Sequence, residues 1–297
     1  MSEWREKAEQ AYEETRRLAP DHPMVLLLGA GIGLGRDDYW LEKERVLQQV
    51  QPDWDPAFLL GSDWDMYYGA FLTYTGRARE AIAPLQRVRQ KQPLAWGVAV
   101  ALAEAYANTG NIPAAMEELE RAATLPNANQ FLITLQKVQN ALAVNDLQAI
   151  NTNTQTWFEI NPGDTFDPKM AALATDKPAL RAALRRAWSA WSDPANRTVG
   201  LSLAIAIWSA YAGDPELALE ALNVVVDATT YSSAQIWTYY DADMTHRLQW
   251  RPLMREVRRL PGFKDLVRKL GLAGYWRKSG AWGDFCRPVG DDDFECK

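Results

Sequence analysis

Small and large apolar residues recur along this chain at fixed offsets from a glycine. Gly76 is followed by Ala81, Leu85, Val88 and Pro93. Gly110, 34 residues later, is followed by Ala115, Leu119 and Ala122, with Pro126 one residue short of register. Apolar positions three and four apart share one face of an α-helix, so each block predicts a helix that starts after the glycine and stops at the proline. The alanine lets that helix lie close against the one before it. Upstream, Gly69 in one copy and Leu102 with Tyr106 in the next sit inside apolar helical stretches. Each unit therefore reads as a first helix, a turn and a second helix. Weaker copies flank this pair. Gly35 leads to Trp40, Leu47 and Pro52, and Gly213 leads to Ala218, Leu222 and Val225. Asn145 takes the turn position ahead of Ile150, Trp157 and Pro162, as asparagine tolerates the left-handed conformation. Pro215 falls at a helix start, where its missing N–H costs nothing. Asp167 to Trp191 reads as a degenerate, alanine-rich helix pair.

The C-terminal pattern is different. Ser233 to Met244 predicts a helix, Pro252 to Leu260 a basic amphipathic turn and helix, and Phe263 to Leu270 a short helix closed by Gly271. A tail rich in glycine and aromatic residues follows.

The 34-residue helix–turn–helix unit resembles the tetratricopeptide repeat. That resemblance implies an all-α fold, a right-handed α-solenoid of about six helix pairs, over residues 1–232. Residues 233–297 are expected to form capping helices and an irregular tail. At the start, Ala8, Tyr12, Thr15 and Pro20 repeat the spacing of a second helix with no first helix before them. The array is thus expected to begin mid-repeat, as a piece of a longer protein or with that helix as its cap. The stretch PLMREVRRLPGFKDLVRKLGLAGYWRKSGAWGDFC resembles the ending of bacterial tetratricopeptide proteins attached to winged-helix DNA-binding or class III adenylate cyclase domains. No motif of those attached domains occurs here, and the resemblance lends no catalytic residue. It implies the interaction or sensory region of a bacterial signalling protein.

In such an array the first helices line the concave face. Carried onto the in-register copies, this places Met66, Ala70 and Tyr74 on one helix, Val100, Glu104 and Asn108 on the next, and Leu135 and Gln139 on the third. Amides can satisfy the backbone of an extended peptide while apolar side chains take its anchors. No Lys or Arg belongs to this set, which disfavours capture of a free C-terminal carboxylate. The expected function is non-catalytic binding of a protein or peptide partner. Self-association through the aromatic-rich ends, giving a homo-oligomer, is the alternative. An enzyme with a cryptic carboxylate pair ranks last.

Charge and composition narrow the field further. The 297 residues carry 32 basic and 38 acidic side chains, a net charge of −6 that argues against a general nucleic-acid binder. The longest apolar run, Met24 to Leu34, is too short to cross a bilayer, and the acidic amphipathic start before it is no signal peptide. The compartment stays open. Within that run and just after it, Gly29, Gly31, Gly33 and Gly35 lack the strand and the third spaced glycine of a phosphate loop, so they read as a packing helix. Asp241, Asp243 and His246 lie close together, but no further ligand is signalled and no metal or other cofactor is expected. Cys286 and Cys296, separated by nine residues, either pair and pin the tail or remain two thiols; neither has a histidine nearby. Ten basic and two acidic side chains lie between His246 and Lys278. They face either an acidic partner or, more economically, the chain's own acidic tail of Asp291, Asp292, Asp293 and Glu295. The thirteen tryptophans, among them Trp54, Trp64, Trp96, Trp188 and Trp191, read as packing between repeats.

Overall fold

Left-handed turns separate the first helix from the second in four of the units, as the glycine spacing requires. In the computed structural model, which describes residues 3–22, 25–26, 38–49, 64–160, 168–191, 198–230 and 247–297, Gly76, Gly110 and Gly213 have φ of 80°, 86° and 76°, and Asn145 has 56°. Glycine takes this conformation without a Cβ clash, and asparagine tolerates it better than most residues. Each turn joins two helices. They are α3 (Trp64–Tyr74) and α4 (Ala78–Lys91), α5 (Trp96–Asn108) and α6 (Ile112–Ala123), α7 (Gln130–Val144) and α8 (Leu147–Ile160), and α11 (Val199–Tyr211) and α12 (Pro215–Thr230). Before them come α1 (Glu3–Leu18) and α2 (Tyr39–Gln49), and the degenerate unit supplies a short α9 (Pro168–Ala172) and α10 (Lys177–Ala190). The described residues are thus mostly helical, and from α2 onward neighbouring helices pack on one another. The glycine run at positions 29–35, Trp54, the helix expected over 233–244 and the Asp241, Asp243, His246 group lie outside the described residues.

The residue following each turn usually starts the next helix. Asn111, Asp146 and Asp214 accept hydrogen bonds from the N–H groups of Ala114, Ala149 and Leu217 at 3.3, 3.0 and 3.3 Å. Each satisfies a donor that the first helical turn leaves free. The small residues are where close approach demands them. Ala81, Ala115 and Ala218 are fully buried, with Leu85, Leu119 and Leu222 beside them in the core. A Cβ added at Gly69 would stand 2.5 Å from Leu85 Cγ, so α3 and α4 meet through that glycine. The first helices form a row: α3 touches α5, α5 touches α7, and α7 touches α11.

The C-terminal segment runs back across the array. Two 3-10 turns, Leu248–Trp250 and Pro252–Met254, lead into α13 (Arg255–Arg258), α14 (Pro261–Lys269) and α15 (Leu272–Ser279). The second turn packs on α7 and α11, α13 and α14 pack on α12, and α15 reaches α2. Indole N–H groups fix this return to backbone carbonyls: Trp40 donates to Leu270 at 2.6 Å, Trp276 to Thr75 at 3.0 Å and Trp250 to Tyr74 at 2.8 Å. One hydrophobic cluster consequently extends from Tyr39 to Phe294 through both regions. The chain ends in an antiparallel hairpin of β1 (Cys286–Val289) and β2 (Asp293–Cys296), with Cys286 opposite Cys296 and the two joined as a disulfide. Asp293 of this hairpin meets Lys264 at 2.6 Å and Arg268 at 3.2 Å, so the acidic tail does engage the chain's own basic helices. Hydrogen bonding from Lys264 holds the Asp293 carboxyl below its usual pKa.

One helix start is capped from far away. Arg77 precedes α4 without a side-chain cap, and the N–H of Arg79 donates instead to Asp284 Oδ2 at 3.0 Å. Asp284 also donates its own N–H to the Gly76 carbonyl at 2.7 Å. Burial raises the Asp284 carboxyl above its usual pKa, so the charge itself is disfavoured in the folded state while the acceptor is needed. Asp284→Ala is therefore expected to cost about 1 kcal/mol, and Asp284→Asn, which keeps an acceptor and drops the charge, much less. Urea denaturation at neutral pH distinguishes the two.

Candidate functional site

The row of first helices and the returning C-terminal segment enclose a cavity of about 390 Å³. Residues four apart on a helix stack on one face. Accordingly Met66, Ala70 and Tyr74 enter from α3, and Trp96, Val100 and Glu104 from α5. Helix α7 supplies Phe131, Leu135 and Gln139, and α8 supplies Trp157 and Phe158. Helix α11 closes the far side with Leu203, Ile207 and Trp208, and the C-terminal segment adds Arg247, Leu248 and Arg251. The wall is chiefly aliphatic and aromatic, with its charge concentrated at one place.

Most of the residues expected on the concave face meet here: Met66, Ala70, Tyr74, Val100, Glu104, Leu135 and Gln139. Asn108 does not. It is fully buried, and neither atom of its side-chain amide has a hydrogen-bond partner. The sequence offers a signal for some residues the expectation passed over. Leu203 and Ile207 precede Gly213 by the offsets that separate Met66 and Ala70 from Gly76. For Arg247 and Arg251 the repeat period gives no signal, because they lie outside the array.

These two arginines supply the basic groups that the first helices lack. Arg247 donates to Glu104 Oε2 at 2.7 Å and to the Tyr74 hydroxyl at 2.6 Å, with its guanidinium 4.7 Å from the centre of the Tyr74 ring. Arg251 is 4% exposed. Its bonding is sparse for a buried guanidinium: Nη1 is 3.5 Å from Asn140 Oδ1, and Nη2 is 3.9 Å from Glu104 Oε1. That second oxygen of Glu104 accepts no hydrogen bond. Burial pushes the Arg251 pKa below its ordinary value; Glu104 offsets this in part, and Arg247 adds to it. The arrangement is a mostly apolar chamber with a charged floor in which one guanidinium has donors to spare.

Among the described residues no group of three or more His, Cys, Asp or Glu side chains is placed to hold a metal ion. None of the described helices is long and apolar enough to cross a membrane. No protein-family model matches the chain, and a search of curated proteins returns no match.

Proposed function

We propose that this chain is a non-catalytic binding domain, a right-handed solenoid of tetratricopeptide-like repeats serving as the interaction or sensory region of a bacterial signalling protein. The handedness and the signalling context rest on the resemblance of its repeats and its C-terminal stretch. The observation that carries the binding role is the chamber of about 390 Å³ bounded by four first helices. Its size is within the range of roughly 300–1,000 Å³ typical of small-molecule sites, and its wall has the usual make-up of apolar surface around a few polar groups. A small ligand suits this face better than an extended peptide. The chain's own segment from Arg247 to Met254 already lies against α7 and α11. A peptide laid along the row would have to displace it.

Filling the chamber tests this role. A Cβ built on Gly200, which lines the cavity, meets nothing within 4 Å, so a side chain can leave the helix there without a clash at its base. The neutral fluorophore N-phenyl-1-naphthylamine is expected to bind the unaltered protein at one saturable site with a rise in emission. Gly200→Phe and Ala204→Trp are expected to weaken that binding about tenfold or more, as space for a bound ring disappears. Unchanged binding in both variants, with helical content retained, would place the site elsewhere and sink the role.

A further inference from the structure

The charges around the chamber say what kind of molecule belongs in it. Among the described residues lining it, the ionic groups are Glu104, Arg247 and Arg251. Glu104 is 1% exposed and is matched to Arg247 through its Oε2. Arg251 is the sparsely bonded member of the group: its contacts at 3.5 and 3.9 Å leave most of its five N–H donors unused. A buried cation without a full set of acceptors is costly, and the cost is relieved by an incoming acceptor. The other described lining residues are apolar or uncharged.

On the reading that this chamber is a ligand site, we infer that it takes an apolar molecule bearing a single carboxylate, seated on Arg251. A guanidinium presents two parallel N–H groups that match a carboxylate, and one negative charge suits the single under-bonded cation, Arg251. A phosphate monoester would bring too much charge. The aromatic lining from Trp96, Trp157 and Trp208 raises a cationic ligand as the rival, since ammonium groups bind over such rings. The rival fails on charge: Glu104, the one carboxylate among the described lining residues, is already paired with Arg247, and Arg251 would repel a cation. The apolar part of the ligand lies along the helix row, against Val100, Leu135 and Ile207.

Three probes with the same ten-carbon chain decide the matter: decanoate, 1-decanol and decylammonium, each titrated calorimetrically into the full chain at pH 7.5. Decanoate is expected to bind about tenfold more tightly than 1-decanol, the gain of one charge-assisted pair of hydrogen bonds, with decylammonium weakest. Arg251→Met, which keeps the volume and removes the charge, is expected to erase the preference for decanoate over 1-decanol. Arg251→Lys is expected to keep part of it. Glu104→Gln, by removing the competing carboxylate, is expected to tighten decanoate about threefold or more and leave 1-decanol unchanged. If 1-decanol or decylammonium binds the unaltered protein as tightly as decanoate, the carboxylate assignment is overturned and the chamber remains a ligand site. If none of the three binds or displaces N-phenyl-1-naphthylamine, the chamber reading falls and takes the assignment with it. Should Arg251→Met fail to fold, the comparison of probes on the unaltered protein still decides.

Discussion

Trp250→Ala is expected to lose about 3–5 kcal/mol of folding stability, the range for truncating a fully buried tryptophan. Total stability of a folded domain is only about 5–15 kcal/mol, so the loss is a large share of it. Trp250 is completely buried. Its ring lies 5.8 Å from that of Trp276 and 6.1 Å from that of Phe263, and its indole N–H donates to the Tyr74 carbonyl at 2.8 Å. Gly76 abuts the same ring: a Cβ there would sit 3.2 Å from it. The residue therefore joins the turn of one repeat to the returning C-terminal helices. Its neighbours in sequence, Leu248 and Arg251, form the floor of the chamber.

Two consequences follow from this position. First, Trp250→Ala should weaken decanoate and N-phenyl-1-naphthylamine binding as well as stability, since the floor loses its anchor. Trp250→Phe keeps most of the packing and forfeits one hydrogen bond, so its cost should be smaller, about 1–2 kcal/mol. Second, unfolding should stay a single transition by circular dichroism and by fluorescence, because one hydrophobic cluster runs through repeats and C-terminal helices alike. A loss below about 1 kcal/mol, or two separate transitions, would show that the C-terminal segment is not part of the cooperative core.

The sequence announced the repeats because their geometry restricts residue type at a few positions. Gly76 and Gly110 take φ of 80° and 86°, Ala81 and Ala115 are fully buried, and each constraint returns at the same offset. The first-helix face could be read for the same reason, since Met66, Ala70, Val100 and Glu104 share a register. That register does not fix every position. The offset that brings the long Tyr74 side chain to the chamber leaves Asn108, a short amide, wholly beneath the surface. What the sequence hid is contact between distant stretches. Trp40 meets Leu270 across 230 residues, and Arg247 meets Glu104 across 143. Such contacts have no period, and a basic run in a helical segment reads as a solvated face whether its arginines are bare or buried. Lys264 and Arg268 do face the tail, whereas Arg251 and Arg258 are buried. Only the fold tells these apart.

Arg77→Met should prove as damaging as Trp250→Ala, for an electrostatic reason. Arg77 and Glu44 meet at 2.6 Å with side chains only 7% and 9% exposed. The Tyr275 hydroxyl accepts from Arg77 at 2.7 Å and donates to Glu44 Oε2 at 2.9 Å, and Arg77 also holds Glu80 at 2.6 Å. Burial opposes the Arg77 charge, but the hydrogen bonds it donates to Glu80 and Glu44 outweigh this and keep its pKa above the ordinary value. Burial likewise pushes the Tyr275 phenol up, so it stays protonated and able to donate. Helix α2, the α3–α4 turn and α15 are thus tied at one polar point within apolar surroundings. Removing Arg77 alone strands the Glu44 carboxylate in that setting, which costs about 3–5 kcal/mol for a buried pair. Glu44→Leu combined with Arg77→Met strands no charge, leaving only the neutral Tyr275 hydroxyl without its partners, and similar apolar replacements of buried pairs are often neutral. The double variant should therefore recover most of the loss, giving a large coupling in a double-mutant cycle followed by urea denaturation. Tyr275→Phe should cost about 1–2 kcal/mol, because it leaves one Glu44 oxygen without its donor. Additive losses in the cycle would mean that Glu44 reaches water once Arg77 is gone, and that this junction opens more readily than its burial implies.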